Sequence, residues 1–331
     1  MVGAFLLWQA SDIVLLAVIA VLLAVTLATP AAAIASNTPL PHWAALGLIV
    51  LGIVAVLSVG LWLAGEQVVM QFAALVEDLP AILERLQGTL DRMPGSEWLS
   101  ARIAAAEPGD IAGIGVISQV TDAVGGAMAV LIRIVFVVFL ALFLAAAPKR
   151  YRDGLVRLAP PRGQRRMRQV LSQLAITIQG WILGQMASML LVGILATVGL
   201  MIIGVPYALL LGLIAGIAEL IPIFGPIFAF VPAVIVAFAD GPQQALWVSV
   251  LYLIIQQLEG NAIQPMVQRY AVDLPQALTV IAIILGESLF GVLGMFIATP
   301  VAASILVLVK MLYLHDHLGQ SVELPGGESE P

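Results

Sequence analysis

The stretch AELIPIFGPIFAFVPA (Ala218–Ala233) places three prolines, one glycine and a carboxylate, Glu219, inside an otherwise apolar run. Proline lacks a backbone N–H and sterically opposes the helix that precedes it. At membrane depth, a broken helix is tolerated only where protein or a water-filled cavity satisfies the freed backbone groups. The stretch therefore predicts an interrupted helix in the interior of a membrane-embedded core.

The chain around this stretch has the composition of a polytopic membrane protein. Of its 331 residues, 61% are hydrophobic and 10% are charged, whereas soluble domains are about 25% charged. Apolar stretches of roughly 20 residues recur along the chain, and each can cross a hydrocarbon core about 30 Å thick as a helix. We therefore expect an all-α polytopic membrane protein with about seven transmembrane segments, and with broken or re-entrant helices in a C-terminal internal repeat.

Hydropathy and charge divide the chain into six regions. Two N-terminal transmembrane helices are predicted for 1–64, an extracytoplasmic amphipathic helical region for 65–125, a transmembrane helix for 126–148, a basic cytoplasmic loop for 149–173, a transport core for 174–313 and a polar tail for 314–331. Eight of the 14 Lys and Arg residues lie between 149 and 168, which places this loop in the cytoplasm by the positive-inside rule. Counting crossings backwards then places both the 65–125 region and the N-terminus outside.

Two of these regions leave alternatives open. Apolar residues from Phe72 to Leu90 repeat at helical spacing and predict an amphipathic helix. Packing of this stripe within its own chain is favoured over contact with the membrane surface or with another subunit. The basic loop would attract anionic lipid headgroups, but a role in setting topology alone is favoured, and a loop this short does not indicate nucleic-acid binding.

The broken stretch has a partner later in the chain. The segment that begins at Val205 can be laid on the segment that begins at Leu274, a shift of 69 residues that pairs Gly225 with Gly294. Interrupted segments in corresponding positions of two halves are a sequence sign of a transporter's binding site. The short segments are compatible with an inverted or a parallel repeat.

Glu219 is the sharpest candidate for a functional side chain, because the rest of its segment carries no charge. A role in holding a cation or taking up a proton is favoured over that of a structural acid bonded to freed backbone amides. Glu287 aligns with Glu219 when one residue of slip is allowed, although an interfacial turn explains it equally well. Pro222, Gly225 and Pro226 are expected to expose helix ends and carbonyl groups to a permeant.

A second polar cluster lies between the two copies, in EGNAIQP (Glu259–Pro265). Polar groups at this density are costly in lipid unless they face a cavity, pair with one another or lie at the interface. Glu259, Asn261, Gln264 and Pro265 are therefore candidates to line a hydrophilic pocket or ion path. A simple connecting loop remains an equal alternative.

These motifs, in this order, resemble the autoinducer-2 exporter (AI-2E) family of bacterial membrane proteins. The resemblance extends over nearly the whole chain, and its specific part lies in IPIFGP (Ile221–Pro226), FVPA (Phe230–Ala233), EGNAIQP, DLPQAL (Asp273–Leu278) and LFGVLGMFIATP (Leu289–Pro300). Members of the family look like eight-helix proteins with three helices before the outer region. This sequence predicts only two, so the family's first helix is expected to be missing.

The resemblance implies a bacterial inner-membrane transporter that exports small polar molecules, with autoinducer-2 the substrate for some members and cation/proton antiport proposed for others. It also implies a homo-oligomer such as a pentamer. From the residues we expect alternating access around the two broken repeats. The alternatives are a sodium (cation)/proton antiporter and a non-transporting membrane scaffold whose outer helix binds partners.

The common motifs for nucleotide binding and hydrolysis are absent from the sequence. We therefore expect no enzyme activity, no cofactor and no metal site. The expected partners are a small polar solute, a sodium ion or proton, and membrane lipid, but no nucleic acid.

Overall fold

The fold is helical throughout the residues that the structure describes. The structure is a computed structural model and describes residues 2–90, 116–263 and 274–320. These ranges contain no β-strand. Their α-helices are α1 (Val2–Asn37), α2 (His42–Leu90), α3 (Val116–Ala146), α4 (Pro148–Arg157), α5 (Gln164–Ile203), α6 (Ala208–Ala218), α7 (Phe224–Ala239), α8 (Pro242–Leu258) and α9 (Gln276–Leu308). Short π-helical segments follow α8 (Glu259–Ile263) and α9 (Val309–His315). The predicted all-α class is confirmed.

Within the described ranges, four segments are long and apolar enough to cross a membrane: Ile13–Asn37, His42–Thr89, Pro161–Ile203 and Gln276–His315. The bent pair of α3 and α4 raises this number to five. The sequence-based count of about seven segments included broken or re-entrant helices in the C-terminal repeat. Because α6 and α7 have only 11 and 16 residues, at about 1.5 Å per residue neither reaches across a core of about 30 Å. The chain is a polytopic membrane protein with fewer complete crossings in its described part than the sequence predicts.

Helix α2 runs without interruption from His42 to Leu90. The sequence predicts a span that ends near residue 64 and a separate amphipathic helix beyond it, but neither Gly65 nor Pro80 stops the helix. A glycine inside a helix costs only about 1 kcal/mol, and tertiary packing of the C-terminal half of α2 outweighs that cost. This packing lies within the chain, with Leu79, Leu83 and Leu86 against Ile235 and Phe238 of α7. The apolar stripe is thus used inside the molecule, which leaves little of it for a scaffold's partner.

The basic region is mostly helical rather than a loop. α4 covers Pro148–Arg157, and α5 already begins at Gln164. Pro148 lies in the first turn of α4, where a missing N–H breaks no helical bond. The axis of α4 makes an angle of 81° with the last part of α3. Helices therefore present most of the cations of this region.

The first broken segment forms a helical hairpin. α6 and α7 pack against each other across the break at 219–223, and we call α6, the break and α7 hairpin 1. A Cβ atom on Gly225 would lie 2.5 Å from the carbonyl carbon of Ala218. The two helices therefore meet at a separation that only glycine allows.

The second broken segment reverses direction in a similar way. Gly291 interrupts α9 with φ 62° and ψ −150°, values outside the helical range. A Cβ atom on Gly294 would lie 2.6 Å from the carbonyl carbon of Gly286, whereas eight residues of straight helix would separate these glycines by about 12 Å. We call α9, folded at Gly291, hairpin 2. With one residue of slip in the repeat, Gly286 corresponds to Ala218, so the two hairpins make their tightest contact at corresponding positions.

The chain divides into two compact units. Unit 1 comprises residues 1–57, 133–187 and 261–331, and unit 2 comprises 58–132 and 188–260. In unit 1, alanines of α1, α2 and α3 pack together (Ala20, Ala45, Ala141), and Ile178 of α5 packs near Ile297 of α9. In unit 2, the core is formed by α5 to α8 around Leu200, Leu211, Ala233 and Val248. Hairpin 1 belongs to unit 2, and hairpin 2 belongs to unit 1.

Candidate functional site

Glu219 lies at the C-terminal end of α6, where the break of hairpin 1 begins. Its backbone N–H donates to the carbonyl of Ala215, and the next two N–H groups make tighter bonds, three residues back, to Ile217 and Ala218. The side chain is only 1% exposed. Within residues 13–89, 131–261 and 274–320, for which the structure describes burial, Glu219 is the one acidic or basic residue that is buried. An ionisable side chain inside a membrane protein is a functional candidate by default.

A strained turn closes the break. The N–H of Phe224 donates to the carbonyl oxygen of Pro222 at 2.8 Å, which makes Ile223 the centre of a γ-turn with φ 72° and ψ −49°. A β-branched residue rarely adopts positive φ, and such a conformation costs of the order of 1–3 kcal/mol. Strained residues of this kind cluster at functional sites. The backbone therefore marks the same segment as the buried carboxyl group.

The carboxyl group of Glu219 meets that of Glu259. Glu259 caps the C-terminal end of α8, where the π-helical segment begins. The two carboxyl groups lie close enough to interact directly. Because an ionised carboxylate offers only acceptors, a hydrogen bond between them requires that one of the two carries a proton. The pair in this state holds one proton and one negative charge.

Two polar side chains donate hydrogen bonds to Glu259. The hydroxyl group of Ser188, on α5, donates to Oε1 at 3.3 Å, and the amide nitrogen of Gln256, on α8, donates to Oε2 at 3.1 Å. Both oxygens of Glu259 thus have polar partners from other helices or from its own helix. The result is a buried carboxyl group, Glu219, beside a half-buried one, Glu259.

Close packing of α5 against α6 positions Ser188. A Cβ atom on Gly216 would lie 2.8 Å from the carbonyl oxygen of Met189, and one on Gly212 would lie 2.6 Å from the backbone nitrogen of Thr197. The backbone of α6 therefore approaches the backbone of α5 closely at Gly216, and it approaches both backbone and side chain of Thr197 at Gly212. The contact begins at Met189, one residue after Ser188. It therefore holds the Ser188 hydroxyl group near the C-terminal end of α6, where Glu219 lies.

Polar contacts also join α2 to the ends of hairpin 1. We call these contacts the α2 clasp: the Tyr207 hydroxyl donates to Asp78, the N–H of Leu210 donates to Gln71 Oε1 at 2.9 Å, and Arg85 lies 3.9 Å from Asp240. The three residues of α2 are seven apart and so share one face of the helix. Burial, and then the hydrogen bond to Asp78 and its charge, raise the pKa of Tyr207 to about 12. Tyr207 therefore keeps the proton that it donates to the clasp.

The structure brings together part of the site predicted from the sequence. Glu219, Pro222, Gly225 and Pro226 all lie in or beside the break of hairpin 1, and Glu259 joins them from α8. Pro226 occupies the first turn of α7, where helix formation needs no N–H. The residues from which we predicted the break therefore lie in or beside it.

The remaining candidates do not join this cluster. Asn261 is exposed in the π-helical segment after α8. Gln264 and Pro265 lie outside the described residues. Glu287 is exposed in the first half of hairpin 2, so its surroundings differ from those of its repeat partner, Glu219.

Two components of the site were not among the candidates. Ser188 carries no local signal except that it is a hydroxyl group in an apolar helix, and Gln256 is one of several amides near Glu259. The α2 clasp was also not predicted, although Gln71, Asp78 and Arg85 recur at seven-residue spacing on a helix. That spacing is the one sequence signal that would have indicated a polar contact face.

Known proteins resemble this chain over most of its length. The model of the family described as "AI-2E family transporter" matches residues 1–313. "Putative transport protein YueF" of Bacillus subtilis (strain 168) is 28% identical over 285 residues, which cover 81% of this chain and 74% of the relative. "Putative permease PerM" of Escherichia coli (strain K12) is 26% identical over 268 residues, which cover 76% of each chain. The names of both relatives describe transport across a membrane.

Proposed function

The chain belongs to the AI-2E transporter family, and from this premise we propose that it exports small polar molecules as a secondary transporter or facilitator. The substrates we propose are polar signals similar to autoinducer-2. Movement would occur by alternating access around hairpins 1 and 2. A transport role is supported by the names of the relatives, whereas the direction of flux and the substrate class are part of our proposal.

The observation that carries the proposal is a buried polar group at a helix break. Glu219 is 1% exposed and ends an 11-residue helix that is too short to cross a membrane. In known transporters, substrate and ion sites are formed by such discontinuous helices, whose ends provide free backbone groups. We infer that hairpin 1 is re-entrant, which would place its break and Glu219 within the membrane.

A second candidate function, cation/proton antiport, is favoured by the close approach of the Glu219 and Glu259 carboxyl groups. If the shared proton leaves, the pair carries two negative charges, which repel each other unless a cation neutralises them. The hydroxyl oxygen of Ser188 and the carboxyl oxygens are suitable ligands for a hard cation such as sodium. Exchange of one proton for one cation at this pair would couple the two gradients.

An export assay in cells tests the main proposal. Cells that express wild type, Glu219→Gln or Glu84→Gln are compared for solutes released into the medium. The glutamine keeps the shape of the side chain but removes its exchangeable acidic proton, so we expect at least a tenfold slower release for Glu219→Gln. Glu84 is exposed on α2, so its variant serves as the matched control. Equal release by all three proteins would show that Glu219 takes no part.

A proteoliposome assay separates the two candidates. An imposed sodium gradient should move protons, detected with a pH-sensitive dye, only if the chain is an antiporter. Proton movement that depends on Glu219 would establish the antiporter. Solute export without any proton movement would leave the facilitator as the function.

We further propose that the protein lies in the bacterial inner membrane, with residues 149–168 in the cytoplasm and residues 65–125 outside. We also propose that it assembles as a homo-oligomer, such as a pentamer. The chain contains no cysteine, so single cysteines can be introduced and labelled without background. A cysteine at Arg162 should react only in opened cells, and one at Glu84 should react in intact cells. Native mass spectrometry of the purified protein gives the subunit number, and a monomer would contradict the proposed assembly.

A further inference from the structure

The helix α4 lies across the end of a membrane helix rather than continuing it. Its axis makes an angle of 81° with the last part of α3, and five of its ten residues are charged. Charged residues at this density cannot be placed in the hydrocarbon core. If α3 crosses the bilayer, the bend at its end places α4 along the membrane surface, at the level of the lipid headgroups.

One face of α4 is attached to the protein. Val156 is buried, at 1% exposed, and Asp153 lies 3.9 Å from Arg168 of α5. These two residues fall about 60° apart around the helix, given 100° per residue. They therefore define a single face that contacts the rest of unit 1.

The opposite face of α4 and its C-cap is apolar and exposed. Tyr151, Leu155 and Leu158 are 46%, 51% and 82% exposed, and their spacing of four and three residues places them in one stripe. A helix with an exposed apolar stripe and a strongly basic polar face is typical of helices that lie in the membrane interface. No other apolar surface in the described residues of this region covers the stripe.

Basic residues flank this stripe on both sides. Arg152 lies on one side of it, Arg150 and Arg157 lie on the other, and all three are exposed. Six cations of the region take part in no ion pair within the described ranges: Lys149, Arg150, Arg152, Arg157, Arg162 and Arg165. Arg166 and Arg168 differ, since each is paired with an aspartate of the same chain. The pairing of charges inside the protein therefore leaves an excess of positive charge beside the apolar stripe.

We propose that α4 is a docking surface for anionic lipids of the bilayer, with its apolar stripe inserted between acyl chains and its free cations bound to the headgroup phosphates. Arginine and lysine side chains reach from an interfacial helix to the headgroups while their stems cover apolar surface. A nucleic acid or free phosphate would match the cations but would leave Leu155 and Leu158 in water. A bilayer surface with anionic lipids matches both features of this helix.

Lipid selectivity of the full-length protein provides one test. Proteoliposomes are made from phosphatidylcholine with 30% phosphatidylglycerol, and the lipid retained after gentle detergent extraction is identified by native mass spectrometry. Each cation near an anionic surface strengthens binding by about fivefold, so Arg150→Gln with Arg152→Gln should reduce the preference for phosphatidylglycerol roughly 25-fold. Arg85→Gln with Arg102→Gln is the charge-matched control and should keep the preference. No preference in the wild type, or full displacement of lipid by millimolar inorganic phosphate, would overturn the proposal.

Insertion depth provides a second test, which does not depend on changing the charge. A spin label on Leu155→Cys should be accessible to dissolved oxygen and protected from a water-soluble nickel complex when the vesicles contain phosphatidylglycerol. A label on Gln169→Cys, which is exposed near the start of α5, should be accessible to nickel in the same vesicles. If both labels are equally accessible to nickel, α4 lies in water and the proposal fails.

Discussion

Replacing Gly225 by alanine should destabilise hairpin 1 and with it the candidate site. The new Cβ atom would lie 2.5 Å from the carbonyl carbon of Ala218, whereas ordinary contacts begin at 3.4 Å. The two helices would have to separate by about 1 Å at the break, and both contacting groups are backbone, so no side chain can rotate away. Overpacking costs about 1–3 kcal/mol, and this site belongs at the upper end, about 3 kcal/mol or a 150-fold change in the folding equilibrium.

Reversible unfolding of the purified protein in mixed detergent micelles, followed by circular dichroism, measures this loss. The matched control is Gly52→Ala, because Gly52 lies within α2 and a Cβ atom there would meet nothing within 4 Å. Alanine is a better helix former than glycine, so the control should be unchanged or more stable by up to about 1 kcal/mol. If Gly225→Ala unfolded at the same denaturant concentration as Gly52→Ala, the close approach at the break would be refuted.

Three further changes test other parts of the fold and site. Gly294→Ala should destabilise hairpin 2 in the same unfolding assay, because its Cβ atom would lie 2.6 Å from the carbonyl carbon of Gly286; unchanged stability would argue against the reversal of α9. Tyr207→Phe removes the hydrogen bond to Asp78 and should cost about 1 kcal/mol, seen as a lower midpoint of thermal unfolding, while an unchanged midpoint would mean that the clasp adds no stability. Glu259→Gln removes one of the two carboxyl groups and should flatten the pH dependence of transport, so an unchanged pH profile would assign proton coupling to other groups.

Local chemistry made the break of hairpin 1 predictable from sequence. Proline and glycine act on their immediate neighbours, so IPIFGP (Ile221–Pro226) indicates an interruption whatever surrounds it. The isolated charge of Glu219 likewise pointed to an interior position. Its partnership with Glu259 was not predictable, because 40 residues separate the two and the contact depends on how α6 and α8 pack.

The length of α2, in contrast, was not predictable from the sequence. Helix propensity is a weak prior that tertiary packing overrides, and the helix continues past Gly65 to Leu90. The sequence showed the apolar stripe of the C-terminal half of α2, and packing within the chain was the favoured interpretation. It did not show that the stripe covers α7 of hairpin 1, because amphipathic periodicity reveals which face is apolar but not what that face meets.

In the second copy of the repeat, the sequence predicts a break but does not determine which glycine forms it. Glycines at 286, 291 and 294 all lie near the predicted break, and periodicity does not distinguish a tight contact from a change in chain direction. The structure assigns the positive φ to Gly291 and the close contact to Gly286 with Gly294. Glu287 remains exposed there, so sequence similarity between the copies does not extend to the surroundings of the acid.

The glycine-lined contact between α5 and α6 has a mechanical consequence. Helices that interdigitate long side chains resist sliding, because each ridge must leave its groove before the pair can shift. Gly212 and Gly216 contribute no side chain to this contact, where the Thr197 hydroxyl group lies against Gly212, and shear between packed helices is one of the common modes of conformational change in proteins. A shear of hairpin 1 along α5 would move the end of α6 that carries Glu219 relative to Ser188.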